Sequence, residues 1–189
     1  MERLVKIFGS PARLRLLRLF LFNQDTSFTL AEAASRTSID PAVARRELAE
    51  LHTGGLLVKR GTRAKTRYQV NGRYEHLAAL DLFIRDTTIL SSQHILAALK
   101  KAGTLRVIAL SGLFTGALEA QIDLLVAGDN IDMRTLAKSI KTLEAELGRE
   151  IRYAAFETPD FRYRLGVYDR LLRDVFDYPH RLLIDRIGL

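Results

Sequence analysis

The stretch LAEAASRTSIDPAVARRELAELHTGGLLVKRG, residues 30–61, decides the fold of the first half of the chain. It predicts two helices separated by a tight connection, one over 30–36 and one over 41–52. Thr29 precedes the first helix and Asp40 precedes the second, and both side chains can accept hydrogen bonds from the free N–H groups of a first helical turn. The sequence TGG then ends the second helix, because glycine tolerates the left-handed conformation of a helix C-cap. Two short helices in this order predict a helix–turn–helix.

The segments on either side extend this motif. Upstream, apolar residues at helical spacing predict a short lead-in and then a helix that starts at Pro11, with Ser10 as its cap. Downstream, two β-capable segments, 56–59 and 66–70, flank a loop that contains Gly61 and predict a hairpin. Three helices followed by a hairpin form a winged helix–turn–helix.

This pattern resembles the winged-helix repressors of the arsenic-repressor-like class. FGSPARLRLLRLF, residues 8–20, is similar to their first helix, and the stretch over 30–61 is similar to their helix–turn–helix and wing. The resemblance covers about residues 3–72. It implies that residues 1–72 form a domain that binds double-stranded DNA, and that the chain acts as a homodimer on paired half-sites.

Positive charge is concentrated in the first half of the chain. Residues 1–101 contain 17 Lys and Arg against 9 Asp and Glu, whereas residues 102–189 contain 12 against 13. The second helix of the motif presents two arginines away from its apolar stripe, and the hairpin has basic residues with no acid between them. Such a surface suits the bases and phosphates of DNA. The expected DNA-binding residues are Ser38, Arg45, Arg46, Lys59, Arg60, Arg63, Lys65 and Arg67.

Two other interpretations of this basic surface remain open. Arg45 or Arg46 can form surface ion pairs with Glu47, Glu50 or Glu32, and such pairs contribute little to stability. A winged helix can also serve as a protein-interaction module.

Residues 73–101 are predicted to connect two domains. Their apolar residues have helical spacing, and Ser91-Ser92 near the middle is a point at which the helix can break. We interpret the segment as a connecting helix that also offers a dimer surface. The alternative is a helix packed wholly on its own domain.

Residues 102–189 alternate between strands and helices and predict a second domain with a small mixed sheet. LRVIALSG, IDLLVAG and EIRYAAFE are typical of strands, and helices are predicted over 132–147 and 158–176. RLLIDRI is a last short strand or helix. Together with the winged helix, these elements predict an α+β chain.

The stretch LSGLFTGALEAQIDLLVAG, residues 110–128, resembles the start of a nucleotidyltransferase active site. The minimal nucleotidyltransferase family, which is related to DNA polymerase β, shows a strand, Gly-Ser, a later glycine, and then a strand with Asp-x-Asp. In this chain the Gly-Ser order is inverted and glutamine replaces the first Asp. The corresponding positions are Ser111, Gly112, Gly116, Gln121 and Asp123. The resemblance covers about residues 104–189.

The substitutions at these positions predict the loss of catalysis. The resemblance implies that two Asp would hold divalent cations and that the glycine turn would approach nucleotide phosphates. One carboxylate and one amide make a poor Mg²⁺ site, because Mg²⁺ relies on carboxylate charge to offset its dehydration. We therefore expect no catalytic residue, no metal and no resident cofactor. A nucleotide or another small anion that is bound without turnover remains open as an effector.

The composition restricts the cellular location and the chemistry that we expect for the protein. The absence of cysteine excludes disulfides and thiolate sites. The start MERLVKIFGS lacks the apolar core of a signal peptide, and uncharged runs such as 107–118 are too short to span a bilayer. We therefore expect a cytoplasmic protein that does not bind membranes.

These observations together predict a DNA-binding transcription regulator, whose second domain, residues 102–189, serves in dimerisation or effector sensing. One alternative is an active nucleotidyltransferase in which Glu119 completes a variant metal site. The other is an antitoxin-like module that binds a protein partner.

Overall fold

The computed structural model describes residues 2–62, 65–88, 90–117 and 119–189 of the chain. Over these ranges the protein is an α+β chain with nine α-helices, a two-stranded sheet and a four-stranded sheet. The chain divides into two compact units. The first comprises Met1–Leu90 and Lys141–Glu150, and the second comprises Ser91–Ile140 and Ile151–Leu189.

Four helices open the first unit. They are α1 (Glu2–Phe8), α2 (Pro11–Leu21), α3 (Leu30–Thr37) and α4 (Pro41–Thr53). Ser10 accepts from the Arg13 N–H group, and Asp40 accepts from two N–H groups of α4. Thr29 and Glu32 form a capping box at the start of α3. These caps satisfy N–H groups that lack a partner inside the first turn, so the helices begin where the sequence predicts.

A three-residue turn joins α3 to α4. Ser38, the first of these residues, is exposed and has a left-handed backbone conformation with φ of 52°. The N–H groups of Ser38 and Ile39 donate to carbonyl groups of the last turn of α3 at 3.3 and 3.0 Å. The end of α3 is thereby closed, and α4 begins at Pro41.

A short antiparallel hairpin follows α4. Its strands are β1 (Leu57–Arg60) and β2 (Arg67–Val70). Phe28, in the segment before α3, forms a bridge with Tyr68 of β2 through two backbone hydrogen bonds of 2.8 and 2.7 Å. This bridge attaches the hairpin to the helical part of the unit.

Helix α5 (Leu77–Thr87) and the second half of α7 (Met133–Leu147) complete the first unit. The buried guanidinium of Arg18, on α2, donates to the Glu146 carbonyl at 2.8 Å and to the Thr88 hydroxyl at 3.0 Å. Gly148 lies so close to α2 that a Cβ atom there would stand 2.5 Å from the carbonyl carbon of Arg18. The core of this unit includes Leu14, Leu17 and Phe20 of α2, Leu48 and Leu51 of α4, Val70 of β2 and Ile84 of α5.

The second unit is built on a four-stranded mixed sheet. Its elements besides the first half of α7 are α6 (Ser92–Leu99), β3 (Thr104–Leu110), β4 (Leu124–Asp129), β5 (Tyr153–Glu157), α8 (Thr158–Gly166), α9 (Arg170–Asp177) and β6 (Arg181–Asp185). The strand order across the sheet is β5-β4-β3-β6. Strand β3 is antiparallel to both β4 and β6, whereas β4 and β5 are parallel.

The two central strands contribute most of the core of the second unit. One cluster consists of Val107 and Ala109 of β3, Ile122, Leu125 and Ala127 at β4, Phe161 of α8, and Leu172 and Val175 of α9. Consecutive strand residues point to opposite faces. The intervening residues Ile108, Leu110, Leu124 and Val126 are also fully buried. Burial on both faces explains why these two strands are nearly continuous apolar runs in the sequence.

The helix expected between the two domains is divided in two. The break foreseen at Ser91-Ser92 is present, because α5 ends at Thr87 and Ser91 caps α6 by accepting from the His94 N–H group at 3.2 Å. Helix α5 belongs to the first unit, and α6 belongs to the second.

The prediction of one helix over 158–176 is wrong. Helix α8 ends at Gly166 and α9 begins at Arg170. Tyr168 between them has a φ of 54°, and Asp169 caps α9 by accepting from the Leu171 N–H group at 2.9 Å. The last segment, RLLIDRI, forms strand β6.

Candidate functional site

Helix α4 presents two arginines to solvent, away from its buried face. Ala44, Glu47 and Leu48 are buried, whereas Arg45 and Arg46 are exposed. The Arg46 guanidinium lies 3.4 Å from the Glu47 carboxylate, and 69 % of the Arg46 side chain is exposed. Within the described ranges, Arg46 forms an ion pair with an acidic side chain, whereas Arg45 does not.

Glu47 is a buried acid that organises this part of α4. Its carboxylate accepts from the Nε atom of Arg13 at 2.8 Å. Burial opposes ionisation of this carboxyl, but hydrogen bonds from Arg13, Ser10 and Arg46 outweigh that effect, and the pKa of Glu47 lies below its ordinary value of 4.5. The charged carboxylate therefore holds Arg13 and Arg46 at neighbouring positions.

The hairpin exposes three of the basic side chains expected to bind DNA, namely Lys59, Arg60 and Lys65. Arg63, which is also expected to bind DNA, lies outside the described residues. Gly61 has a φ of 83°, and a Cβ atom there would stand 2.5 Å from the carbonyl oxygen of Lys65. The loop therefore requires glycine at this position.

Protein groups already engage the guanidinium of Arg67. It donates to the hydroxyl and carbonyl oxygens of Ser27 at 2.9 and 2.6 Å, and to the carboxylate of Glu32 at 2.8 Å. These contacts attach β2 to α3 and to the segment before it. Arg67 thus helps to hold the first unit together, and its expected contact with DNA stays a prediction.

In the second unit, Asp123 is the centre of a buried ion pair. Its side chain is 3 % exposed and lies next to the guanidinium of Arg152. One oxygen accepts from Nη2 of Arg152 at 2.7 Å and from the Leu113 N–H group at 2.8 Å. The other accepts from Nε and from the backbone N–H of Arg152 at 3.0 and 2.9 Å. Both oxygens are therefore occupied by donors of the protein.

The electrostatics of this pair favour its charged state. Burial of the Asp123 carboxyl opposes ionisation, but hydrogen bonds from Arg152 and Leu113 outweigh it and lower the pKa of Asp123 below its ordinary value of 3.8. The same hydrogen bonds raise the pKa of Arg152. A divalent cation would have to displace this guanidinium before it could bind Asp123.

The glycine turn before Asp123 is directed inward. A Cβ atom at Gly112, whose φ is 46°, would collide with the Asp123 carboxylate. The N–H groups of Leu113, Phe114 and Thr115 donate to Asp123, Ser111 and Gly112, respectively. These three donors of the turn have acceptors within the protein, so they are not directed at an external phosphate.

Ser111 is also directed inward. Its side chain is buried, and its hydroxyl donates to the carbonyl of Pro179 at 3.4 Å. The structure therefore brings together three of the positions predicted from sequence, which are Ser111, Gly112 and Asp123, in a packed cluster.

Gln121 and Glu119 lie on a different surface of the second unit. The backbone N–H of Gln121 donates to the Asp174 carboxylate at 2.6 Å. Both Glu119 and Gln121 are exposed and line a cleft of about 490 Å³, which also includes Arg170 and Arg173 of α9. Glu119 therefore lies at the cleft and not in the cluster around Asp123.

Gly116, the later glycine of the predicted motif, has a φ of 79°, a conformation that glycine adopts without strain.

Two features are absent from the part of the chain that the structure describes. It contains no group of three or more His, Asp or Glu side chains arranged to hold a metal ion. None of its helices combines the length and the apolar run needed to cross a membrane.

Arg152 is the functional residue missing from the sequence predictions for this cluster. The usable signal was its place inside the third predicted strand, EIRYAAFE, directly before the observed start of β5 at Tyr153. An arginine there can neutralise the remaining Asp of the motif from within the chain.

No protein-family model matches this chain, and searches of the curated proteins and of the solved structures gave no significant match. The geometry of the described residues is therefore the basis for a functional assignment.

Proposed function

We propose that this protein is a transcription regulator that binds double-stranded DNA through its first unit. The observation that carries the proposal is a helix–turn–helix whose second helix exposes Arg45 and Arg46, followed by a hairpin that exposes Lys59, Arg60 and Lys65. The Phe28–Tyr68 bridge supports a winged-helix assignment, because it joins the hairpin to the helices as one domain. A cytoplasmic location belongs to the same proposal.

Helix α4 is the element that would read the base sequence. In winged helix–turn–helix proteins the second helix of the motif enters the major groove. Arg45 and Arg46 have the exposure that this contact needs, and arginine can donate two hydrogen bonds to the O6 and N7 atoms of guanine. Ser38, exposed in the turn before α4, is a small donor suited to a phosphate oxygen.

The hairpin would contribute affinity that does not depend on sequence. Lys59, Arg60 and Lys65 are exposed, and no acidic residue lies between positions 59 and 67 to neutralise them. Each phosphate that such a residue neutralises releases counterions, so the affinity falls as salt rises.

The second unit is proposed to be a catalytically silent nucleotidyltransferase-like domain. Its mixed sheet, with antiparallel β3 and β4 around the Gly112 turn, supports the likeness in fold. The pairing of Asp123 with Arg152 supports the loss of metal-dependent chemistry, because a cation needs the carboxylate charge that the guanidinium already neutralises. Transfer of label from radiolabelled nucleotides in the presence of Mg²⁺ or Mn²⁺, abolished by Asp123→Ala, would favour an enzyme instead.

A homodimer is part of the proposal, and α1 and α5 offer a surface for it. Ile7, Leu82 and Phe83 have exposed fractions of 73 %, 61 % and 42 %, and the rings of Phe8 and Phe83 lie 6.3 Å apart. Large apolar side chains that are exposed together favour burial against a partner. A second copy of the chain would allow two α4 helices to contact paired half-sites.

The cleft beside Gln121 is the proposed place for a small-molecule effector. Arg170 and Arg173 are the cationic side chains of its lining and would contact a nucleotide or another small anion, beside three acids, Glu119, Asp174 and Asp177. A shift of DNA affinity when Mg-nucleotide is added would support this role.

The test of DNA binding compares two kinds of variant in fluorescence anisotropy. We expect Lys65→Glu to weaken binding to every duplex alike, because this residue would contact phosphate. We expect Arg45→Ala to reduce the preference for the specific duplex by roughly 1–3 kcal/mol, because this residue would contact a base. Unchanged affinity in both variants would reject the assignment.

A further inference from the structure

A second concave surface of the first unit lies next to α4. It is a cleft of about 700 Å³ whose walls come from the start of α2, from Ile39 in the turn before α4, and from the first half of α4. On α2 it includes Arg13 and Arg15, and on α4 it includes Arg46 and Glu47. The DNA interface described above does not use the α2 side of this cleft.

The lining of this cleft has an excess of positive charge. Among the described residues that line it, three carry a guanidinium group and one carries a carboxylate. Arg13 lies 2.8 Å from Glu47, and Arg46 lies 3.4 Å from it. Arg15 donates to the neutral carbonyl oxygen of Thr37 at 3.2 Å, and no carboxylate of the described residues forms an ion pair with it. A concave surface with this imbalance attracts an anion.

The position of Arg46 connects this cleft with the proposed interface. Arg46 lines the cleft, and its side chain is also 69 % exposed on the face of α4 that is turned away from the core. Arg45, the neighbouring residue, is exposed as well. A duplex that contacts Arg45 and Arg46 would therefore lie next to the mouth of the cleft.

We propose that the cleft binds a phosphodiester group of the same duplex, with Arg15 and Arg46 as the donors. This inference rests on the proposed function. Guanidinium groups bind phosphate oxygens through charge-assisted and often bidentate hydrogen bonds. Arg13 stays paired with the buried Glu47 and acts as a positioning residue, because their ion pair holds α2 against α4.

The experiment measures the salt dependence of DNA affinity for matched variants. Arg15→Gln removes the charge and should reduce the slope of log affinity against log salt by about 0.9, on specific and scrambled duplexes alike. Arg15→Lys keeps the charge and should keep the slope. Arg36→Gln is the control, because Arg36 lies on α3, does not line the cleft, and already pairs with Glu150. Arg46→Gln tests the other wall and should give the same reduction as Arg15→Gln on both duplexes. If it instead lowers only the preference for the specific duplex, Arg46 contacts a base and its part in the cleft is wrong.

The outcomes separate this inference from the function on which it rests. Lys65→Glu could lower the slope while Arg15→Gln and Arg46→Gln leave it unchanged. In that case the protein binds DNA and the cleft proposal is wrong. If the wild type binds no duplex, both proposals are wrong. Calorimetric titration with inorganic phosphate tests whether the cleft binds a free anion instead of a DNA phosphate. If the protein binds no DNA but binds phosphate, and Arg15→Gln abolishes that binding, the ligand of the cleft is a free anion.

Discussion

Replacing Arg152 with glutamine removes the charged partner of a buried carboxylate. Asp123 accepts four hydrogen bonds, two from the Arg152 guanidinium and two from the backbone N–H groups of Leu113 and Arg152. The variant keeps the backbone bonds and loses the two that carry charge. Removing one partner of a buried pair costs roughly 3–5 kcal/mol. Half of the Arg152 side chain is exposed, so water can reach part of the vacated site, and we expect about 3 kcal/mol.

The stability lost in Arg152→Gln should depend on pH, and the pKa of Asp123 determines the direction of this dependence. Because folding lowers this pKa below 3.8, the pair stabilises the protein above that pH, and the contribution disappears as pH falls through the lowered pKa. Without the Arg152 guanidinium, Asp123 stays buried but loses its charge-assisted hydrogen bonds, so we expect its pKa to lie above that of the wild type. The difference in free energy of unfolding between wild type and variant should therefore be largest near neutral pH and should shrink below about pH 4.

Urea unfolding of the full chain at neutral and acidic pH measures this difference, and hydrogen exchange of the Leu113 amide reports on the turn itself. The matched control is Arg106→Gln, which breaks the pair between Arg106 and Asp129 at 2.8 Å. The Asp129 side chain is 35 % exposed whereas that of Asp123 is 3 % exposed, so the loss should be the smaller of the two. The reasoning is refuted if Arg152→Gln unfolds at the same urea concentration as the wild type at neutral pH, or if the difference does not change on acidification.

Three further predictions concern the first unit. Gly148→Ala should lower the unfolding temperature, because its φ is 74° and a Cβ atom would collide with the backbone of α2; a wild-type thermal unfolding curve would contradict this. Glu47→Gln should destabilise the protein by about 1–3 kcal/mol near neutral pH and by less below about pH 4.5, because the carboxylate that holds Arg13 has a lowered pKa; urea titrations that show no pH dependence would argue against it. Leu82→Glu should shift the protein from dimer to monomer in sedimentation experiments while circular dichroism stays unchanged; a variant that remains dimeric would exclude the α1–α5 surface.

Local signals in the sequence predicted the first unit well. Ser10, Thr29 and Asp40 cap the helices that they were expected to cap, because each supplies an acceptor to backbone donors that have no other partner. The hairpin lies within a residue or two of its expected positions. These features depend on residues close together in the chain, so a short stretch of sequence specifies them.

Features that depend on distant contacts were not predictable in the same way. The break before α9 follows Gly166, but the left-handed residue is Tyr168, and the Asp169 cap resembles an ordinary surface acid in the sequence. The pairing of Asp123 with Arg152 joins residues 29 positions apart. The packing of α7 near Gly148 against Arg18 joins even more distant segments.

The candidate sites show the same difference between features that depend on neighbouring residues and features that depend on distant contacts. The exposure of Arg45 and Arg46 on α4, and of Lys65 in the hairpin loop, could be predicted from the sequence, because it depends on local periodicity. The hydrogen bonds of Arg67 could not be predicted, since its partner Glu32 lies 35 residues away in the chain. The role of Arg152 likewise required the fold.

The most direct test of DNA binding is fluorescence anisotropy of this protein on duplex DNA from upstream of its own gene, against a scrambled duplex, at low and at physiological salt. The proposed function predicts tight binding that is selective for the upstream duplex and that persists at physiological salt. Weak binding that is equal on both duplexes and disappears at physiological salt would contradict it, because a basic surface alone binds any polyanion in that way.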